Sequence, residues 1–461
     1  MNEKQRAALG RVVALADSRA QEMLDFAGEF VRQPSINPEL EPNPDAERPA
    51  QQWLAEQLDK SPAFDAVDVW EVEPNRTNIV ATQKGKGGGK SLIWVSHTDV
   101  VPVNPDGWSR DPFGGELIDG EVWGRGAIDM LCITASQAVA FRQLATEGFT
   151  PKGTLIYFGV ADEEAGGHWG AEYMIDEHWD AVGADFVLTE SGGYSTIGHD
   201  GTRHMTVNIA EKGIAWRRLR VHGTPGHGSM PYGSDNALIT ASEIVRRLAE
   251  FRTPSRVDDL WHARLATIDV PEDLRAALSD PTTLRDTLAL LPPDYARVAH
   301  ACTHTTVSPN VIHGGQKTNT IPDVIDIDVD MRTVPGDTKE VVDAYLAEVL
   351  GDLASRVEIS PIQEYESTRS PTDNPLWDAL RRGTQVAYPG ANLVPGIITG
   401  GTDARFYRSK GAVAYGAGLF SPEVTIESFG QRFHGNDERI DVTSLGMSAE
   451  FWYGVAREIV G

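Results

Sequence analysis

The stretch TLIYFGVADEEAGG, residues 154–167, ends an apolar run with three successive carboxylates, Asp162, Glu163 and Glu164, followed by two glycines. Continuous apolar runs are typical of strands that are covered on both faces of a parallel sheet. Adjacent carboxylates repel one another, so their position at the end of a buried strand calls for a nearby cation. The stretch therefore predicts a buried parallel strand with a cation site at its end.

Two further apolar runs, SLIWVSH (91–97) and ADFVLTE (184–190), also end in charged or metal-binding residues. Helical patterns lie between the runs, at 131–148 and 169–179. Alternation of strands and helices predicts an α/β fold with a central, mostly parallel sheet flanked by helices. Ligands bind outside the carboxyl ends of such strands, so the three ends indicate one crevice.

The pattern changes at about residue 205. Residues 204–223 and 318–336 alternate polar and apolar side chains, as strands with one solvated face do, and 235–251 and 338–354 are amphipathic helices. We expect an inserted α+β domain with an antiparallel sheet at 205–369, and a first domain formed by 1–204 and 370–461. Within the inserted domain, residues 255–300 form a charged, helix-rich insertion of unknown purpose.

The charge and cysteine content of the sequence indicate which partners and which compartment the protein favours. The 461 residues carry a net charge of −26, with a sequence pI near 4.8, which disfavours nucleic acid and anionic membranes. Two cysteines, Cys132 and Cys302, are too few for a disulfide scaffold and fit a reducing compartment. Residues 1–26 predict an amphipathic helix, and no run approaches the length of a membrane span. We therefore expect a cytoplasmic protein.

Several metal-capable residues stand at strand ends or helix starts. His97 lies two residues before Asp99, Asp129 precedes a helical pattern, and His434 precedes the C-terminal helix. Each one alone is more typical of a structural role, such as a helix cap. Together with Glu163, Glu164 and Glu190, however, they form a ligand set that suits zinc.

Seven segments, in order, resemble motifs of one family: SHTDVVP, WGRGAIDM, ADEEAGG, TESGG, GHGSMP, GGTDARF and HGNDE. The family is the dizinc peptidases that include aminoacylase, acetylornithine deacetylase, succinyl-diaminopimelate desuccinylase and glutamate carboxypeptidase. The resemblance spans residues 90–440 and implies a catalytic domain with an inserted lid and dimerisation domain.

The resemblance implies two zinc ions per chain, for which cobalt or manganese could substitute. The implied ligands are His97, Asp129 and Glu190 for one ion and Asp129, Glu164 and His434 for the other, with Asp129 bridging. Asp99 would orient His97, and Glu163 would be the general base acting on a metal-bridging water. The resemblance also implies a cis peptide bond after Asp129.

In the lid, the resemblance implies that His227 reaches the reaction intermediate, often from the neighbouring subunit of a homodimer. Asn319 and Arg332 would bind substrate, with Arg332 gripping a carboxylate in bidentate fashion. Gly401 and Thr402 would offer backbone N–H groups to the same carboxylate.

The expected reaction is hydrolysis of the amide bond of an N-acyl amino acid or a short peptide with a free carboxylate. Deacylase and carboxypeptidase or dipeptidase activities differ only in the acyl group, and the sequence does not separate them. Relatives place Lys-Gly after the equivalent of Met130, where this chain has Leu131 and Cys132. A non-catalytic binding protein is the remote alternative, which Glu163 disfavours because a binder needs no base.

Overall fold

The structure is a computed structural model that describes residues 20–42, 45, 47–59, 65–198 and 201–461. The helix predicted for 1–26 lies largely outside these ranges, and its last residues fall within a helix over Ala20–Val31. In the described ranges, no helix is both long and apolar enough to span a bilayer.

The strands are numbered in chain order. They are β1 (Ala66–Glu73), β2 (Arg76–Gln83), β3 (Leu92–His97), β4 (Glu116–Ile118), β5 (Glu121–Trp123), β6 (Leu155–Val160), β7 (Phe186–Thr189), β8 (Ser195–Ile197), β9 (Arg203–Glu211), β10 (Gly213–His222), β11 (Gly226–His227), β12 (Thr306–Gly314), β13 (Thr320–Ile321), β14 (Val324–Thr333), β15 (Val357–Tyr365), β16 (Thr368–Arg369), β17 (Asn392–Ile398), β18 (Val413–Gly416) and β19 (Arg439–Asp441).

The α-helices are numbered in the same way. They are α1 (Ala20–Val31), α2 (Arg48–Asp59), α3 (Leu131–Thr146), α4 (Tyr173–Glu177), α5 (Trp179–Val182), α6 (Ala237–Glu250), α7 (Asp259–Leu265), α8 (Glu272–Leu278), α9 (Leu284–Leu288), α10 (Pro293–Thr303), α11 (Lys339–Leu350), α12 (Pro375–Ala387), α13 (Ala404–Ser409), α14 (Ile426–Arg432) and α15 (Val442–Val460).

A large sheet forms the centre of the molecule, with the order β1-β2-β6-β3-β7-β18-β9-β16 and with β8 and β17 also paired to β9. Its middle strands β6, β3, β7 and β18 run parallel. Helices α1, α3, α12 and α15 cover one face, and α4, α5 and α13 cover the other. The predicted α/β class is confirmed, because strands buried on both faces need helices on both sides.

A separate four-stranded sheet has the order β12-β14-β10-β15, and every neighbouring pair in it is antiparallel. Helices α6 and α11 bury their apolar faces against one side. This is the antiparallel sheet that the sequence predicted for the lid.

The assignment of β9 to the lid is wrong. The sequence placed its alternating residues in the domain that begins at 205, whereas β9 pairs within the large sheet. It runs parallel to β17 over most of its length and antiparallel to β8, β16 and β18. Its residues from Val207 onwards are buried, so the polar and apolar alternation in its sequence did not mark a solvated face. The boundary at 205 falls inside this strand, and the domain limits otherwise stay a prediction.

The 255–300 insertion folds as four short helices, α7 to α10, between α6 and β12. The helices share a small apolar core that includes Trp261, Leu265 and Leu284. Helix α7 also contacts β17 at one end of the large sheet. The insertion therefore lies against the catalytic sheet as well as continuing from the lid.

Candidate active site

Three strand ends bring polar side chains to one edge of the large sheet. β3 ends at His97, Glu163 and Glu164 form a short 3-10 turn soon after β6, and Glu190 follows β7 directly. Because β3 runs parallel to β6 and to β7, their carboxyl ends lie side by side. Asp129 joins this edge from the segment that leads into α3.

The side chains at this edge contact one another in a row, and Asp129 lies between two histidines. His97 Nε2 is 3.2 Å from Asp129 Oδ1 and 4.0 Å from Glu190 Oε2. On the other side, His434 Nε2 is 2.9 Å from Asp129 Oδ2 and 3.2 Å from Glu164 Oε2. The structure thus brings together the five residues that the sequence predicted as ligands.

These residues fit a metal centre. Two groups of three, His97 with Asp129 and Glu164, and His97 with Glu163 and Glu190, place ligand atoms within 4.8 Å of one another. Oε1 of Glu164 is buried and, within the described part of the chain, has no hydrogen-bond partner. Imidazole nitrogens and carboxylate oxygens in a buried cluster are the donor set that zinc and similar ions take.

The pKa values of the clustered side chains also indicate that the site favours a bound cation. Burial and the neighbouring carboxylates raise the pKa of Glu163 and that of Glu164 to about 8. Burial, with the charges of Glu163 and Asp129, raises the pKa of Glu190 well above its ordinary value. Although burial opposes the charged form of His434, its contacts with Asp129 and Glu164 raise its pKa to about 10. A dication would relieve this excess of negative charge.

The carboxylate of Asp99 holds the turn that carries the two glutamates. Its Oδ1 accepts the backbone N–H of Glu163 at 3.1 Å, and its Oδ2 accepts that of Glu164 at 3.0 Å. His97 Nδ1 lies 2.9 Å from the main-chain oxygen of Asp99 and 3.6 Å from the carboxylate. Asp99 therefore positions His97 through its backbone and the glutamate turn through its side chain.

A buried polar network behind this turn was missed in the sequence. Asp162 is the first of the three adjacent acids, and its Oδ1 accepts from Arg76 Nη1 at 2.6 Å and from Asn37 at 3.2 Å. The amide of Asn37 also donates to Asp99 Oδ2 at 2.8 Å. One acid of the triplet is thus neutralised by arginine, which leaves Glu163 and Glu164 for the site.

Glu438 was also missed, although it lies in the HGNDE segment. Its Oε1 accepts the backbone N–H groups of Ile128 at 2.7 Å and Asp129 at 2.9 Å, and its Oε2 accepts from Gly126 and the Arg125 guanidinium. Four hydrogen bonds to one buried carboxylate fix the segment that presents Asp129. The peptide bond between Asp129 and Met130 is cis, as the resemblance implied.

Comparison with known proteins agrees with this geometry. The profile of peptidase family M20/M25/M40 matches residues 93–458. The chain belongs to this family. It is 28% identical over 379 residues to the N-fatty-acyl-amino acid synthase/hydrolase PM20D1 of Xenopus tropicalis, covering 78% of this chain and 70% of that protein. It is 28% identical to aminoacylase-1 of Sus scrofa, covering 80% of each chain.

Solved structures share the fold. An M20 family metallo-carboxypeptidase from Sulfolobus solfataricus, Sso-CP2, superposes with a TM-score of 0.71 at 18% identity, covering 95% of this chain and 99% of that one. A Bacillus subtilis member with a TM-score of 0.62, 13% identity and coverage of 96% and 99% is described as a dinuclear metal binding peptidase. M20 peptidases are metal-dependent, and this chain is a hydrolase of the metallopeptidase and aminoacylase type. The predicted family and enzyme class are confirmed.

A cavity of about 800 Å³ opens over the M20 site, and we call it the catalytic cavity. Its walls include Asp129, Glu163, Glu164, Glu190 and His434 from the edge of the sheet, and Arg332 and Gly401 from the predicted substrate-binding residues. The Arg332 guanidinium stacks on Trp216 at 5.2 Å and donates through Nε to Asp330 at 2.8 Å. Arg332 therefore reaches the cavity already paired with a carboxylate.

Thr402 does not offer the N–H group that the sequence predicted. Thr402 is buried, and its backbone N–H donates to Oε2 of Glu211 at 2.5 Å. Glu211 is itself fully buried and pairs with Arg408. The prediction for Thr402 is wrong because a buried carboxylate of β9 already occupies this donor.

His227 and Asn319 lie together outside the catalytic cavity. His227 is exposed on β11, which pairs with β13, and the main-chain oxygen of Asn319 accepts the N–H of Gly228 at 2.8 Å. Nδ1 of His227 accepts the backbone N–H of Ser229 at 3.2 Å, and Nε2 forms no hydrogen bond with a described residue. Their predicted roles in catalysis and substrate binding stay predictions.

Proposed function

We propose that the enzyme hydrolyses the amide bond of an N-acyl amino acid, or of a short peptide with a free carboxylate, with Glu163 as the general base. The position of Glu163 carries this proposal. It lies in the ligand cluster and lines the catalytic cavity, yet among the described residues it forms no ion pair with either histidine of the site. The Asp99 carboxylate holds its backbone in place.

Two metal ions, which we propose to be zinc with cobalt or manganese as substitutes, would be held by the sets that the resemblance implied. His97, Asp129 and Glu190 would hold one ion, and Asp129, Glu164 and His434 the other. The contacts of Asp129 with both histidines support a bridging role. When bound, the ions would acidify water and polarise the substrate carbonyl.

Glu163 moves the protons of the reaction. It accepts a proton from the water whose oxygen attacks the carbonyl carbon, and it delivers that proton to the amide nitrogen as the C–N bond breaks. The products are a carboxylic acid and an amine. A base whose pKa lies near the working pH can both accept and deliver a proton, and burial favours this by raising the pKa of Glu163, whereas bound dications would lower it.

A hydrolysis screen tests the proposal. We expect turnover of at least one class among acetyl, succinyl, long-chain acyl and peptidyl amino acids when zinc is supplied, and slower turnover of analogues whose carboxylate is replaced by a carboxamide. Release of a free amino acid would be measured. Preference for peptidyl substrates would assign carboxypeptidase or dipeptidase activity, and no turnover in any class would contradict the proposal.

A homodimer through the lid is proposed because His227 lies outside the catalytic cavity of its own chain. The segment after His227 and the helix α6 also carry exposed apolar residues, including Met230 and Tyr232, which are 72% and 103% exposed, and Ile239. Apolar patches of this kind are typical of interfaces. His227 Nε2 would then reach the substrate in the neighbouring subunit.

For this dimer we expect His227→Ala to reduce turnover strongly and to leave the metal content unchanged, because His227 does not belong to the ligand cluster. Mixing His227→Ala chains with Glu163→Gln chains should restore part of the activity, since each hybrid dimer contains one site with both residues native. Turnover and hybrid formation would be measured together. No recovery in verified hybrids would show that the lid acts within one chain.

A further inference from the structure

A second cavity adjoins the catalytic cavity on the side of the 255–300 insertion, and we call it the side cavity. It has a volume of about 290 Å³, and Arg264, Ile397 and Ile426 line both cavities. The rest of its wall is mostly apolar, with Trp261 from α7 and Val394 from β17. A cavity of about 150 Å³ can bind benzene, so the side cavity has room for a large apolar group.

Arg264 brings a positive charge to the junction of the two cavities. Its Nε is buried and, within the described part of the chain, has no hydrogen-bond partner. Its guanidinium carbon lies 5.9 Å from the ring centre of Tyr295, and no described carboxylate forms an ion pair with it. Asp269 also lines the side cavity. Arg264 as a whole is half-buried. A cation that is partly removed from water without an anion is unfavourable, so the junction favours a negatively charged ligand group.

The other arginines of the catalytic cavity are already engaged. Arg332 donates to both oxygens of Asp330, at 2.8 and 3.4 Å. Arg405 donates to the main-chain oxygens of Thr402 at 2.8 Å and Gly166 at 2.7 Å. Nε of Arg405 is also buried without a hydrogen-bond partner among the described residues, but its other two nitrogens are bonded. Arg264 differs because its guanidinium lies against the Tyr295 side chain and forms no ion pair with a described carboxylate.

We propose that Arg264 and the side cavity form the subsite for the amino-acid half of the substrate. The guanidinium binds the free carboxylate, and the side cavity takes an apolar side chain. This assignment rests on the proposed function and narrows its substrates to N-acyl derivatives of large apolar amino acids. It also gives the helical insertion a purpose, because α7 supplies both Arg264 and Trp261.

The position of Arg264 favours the amino-acid side chain over the acyl chain as the occupant of the side cavity. In an N-acyl amino acid, the α-carbon carries both the carboxylate and the side chain, so a cation at the mouth of an apolar cavity matches both groups at once. An acyl chain is separated from the carboxylate by the amide bond. If the acyl chain filled the side cavity, Arg264 would remain without an anion.

The variant Arg264→Met tests the role of the charge. Its hydrolysis of N-acetyl-leucine is compared with its hydrolysis of N-acetyl-leucinamide. If the wild-type enzyme prefers another acyl group, the same pair of substrates is made with that acyl group. We expect kcat/KM for the carboxylate substrate to fall about 10-fold to 100-fold, because hydrogen bonds to a charged group are lost. The kcat/KM for the carboxamide should fall much less. The ratio of kcat/KM for the carboxylate substrate to that for the carboxamide therefore becomes smaller. Arg264→Gln provides a second variant if the methionine variant is unstable.

The matched control is Arg297→Met, which removes an exposed arginine of the same insertion that is 79% exposed and paired with Asp294. It should leave the substrate ratio as in the wild type. An unchanged ratio in both Arg264 variants, with wild-type thermal unfolding, would overturn the subsite while leaving the proposed function intact. Absence of hydrolysis of every N-acyl amino acid by the wild-type enzyme would overturn both.

The side cavity is tested with Val394→Trp, because Val394 lines the side cavity and not the catalytic cavity. A larger side chain should lower kcat/KM for N-acyl-phenylalanine relative to N-acyl-alanine. Varying the acyl chain from acetyl to dodecanoyl on one amino acid should give similar effects of the substitution at each length. A substitution effect that follows acyl length and not side-chain size would overturn the assignment.

Discussion

Glutamine in place of Glu163 is expected to lower kcat by about 10²-fold to 10⁴-fold while the bound metal stays at the wild-type level. The substitution keeps the size of the side chain but removes its ability to accept a proton from water. Among the described residues, Glu163 forms no ion pair with His97 or His434, so the contacts of both histidines with Asp129 persist. The measurements are kcat on the best substrate and metal content per chain.

Glu177→Gln is the matched control, because Glu177 is exposed at the end of α4, shortly after the same turn. It should leave both kcat and metal content unchanged. Loss of metal from the Glu163 variant would reverse the roles of the two adjacent glutamates, and near wild-type turnover would remove Glu163 from the reaction.

Glutamine in place of Glu164 should also leave the enzyme nearly inactive, but through loss of metal. Oε2 of Glu164 lies 3.2 Å from His434 Nε2, and its Oε1 is buried without a hydrogen-bond partner in the described structure. Replacing the carboxylate removes a charged ligand, so one metal site should weaken. Excess zinc or cobalt should restore part of the activity of this variant and none of that of Glu163→Gln.

Metal titration of Glu163→Gln and Glu164→Gln distinguishes a general base from a metal ligand. The rate alone does not, because both variants should be nearly inactive. Rescue of the Glu163 variant by metal, or full metal occupancy in the Glu164 variant at low metal concentration, would contradict the assignment.

The part of the site that lies on strand ends could be predicted from the sequence. Buried parallel strands have a distinctive continuous apolar pattern, and their carboxyl ends meet at one edge, so His97, Glu164 and Glu190 could be placed together. The position of His434 came from the family resemblance, because it lies on a loop after α14 that no periodic pattern places.

Other parts depend on contacts between distant segments. Glu438 binds the 126–129 backbone across some 310 residues, and Asn37 binds Asp99 across 62. The sequence does not distinguish a buried glutamate that accepts four hydrogen bonds from an exposed one. The roles of Glu438 and Asn37 therefore could not be predicted from a sequence pattern. The Thr402 donor was misassigned for the same reason, since Glu211 meets it only in the folded sheet.

The insertion shows a further limit of sequence reading. Its charged, amphipathic helices predicted the helical structure that is observed, but each arginine within it could equally face solvent. Arg297 does so, whereas Arg264 lines the wall shared by two cavities. Only the packing of α7 against β17 distinguishes the two arginines.

The most direct test of a dinuclear hydrolytic site is to remove all metal with a chelator and then titrate zinc back while following hydrolysis of an N-acyl amino acid. The ligand cluster predicts no activity in the metal-free enzyme and a return of activity as up to two ions bind per chain, with cobalt or manganese able to replace zinc. Full activity after exhaustive chelation, or recovery without any bound metal, would contradict the central claim.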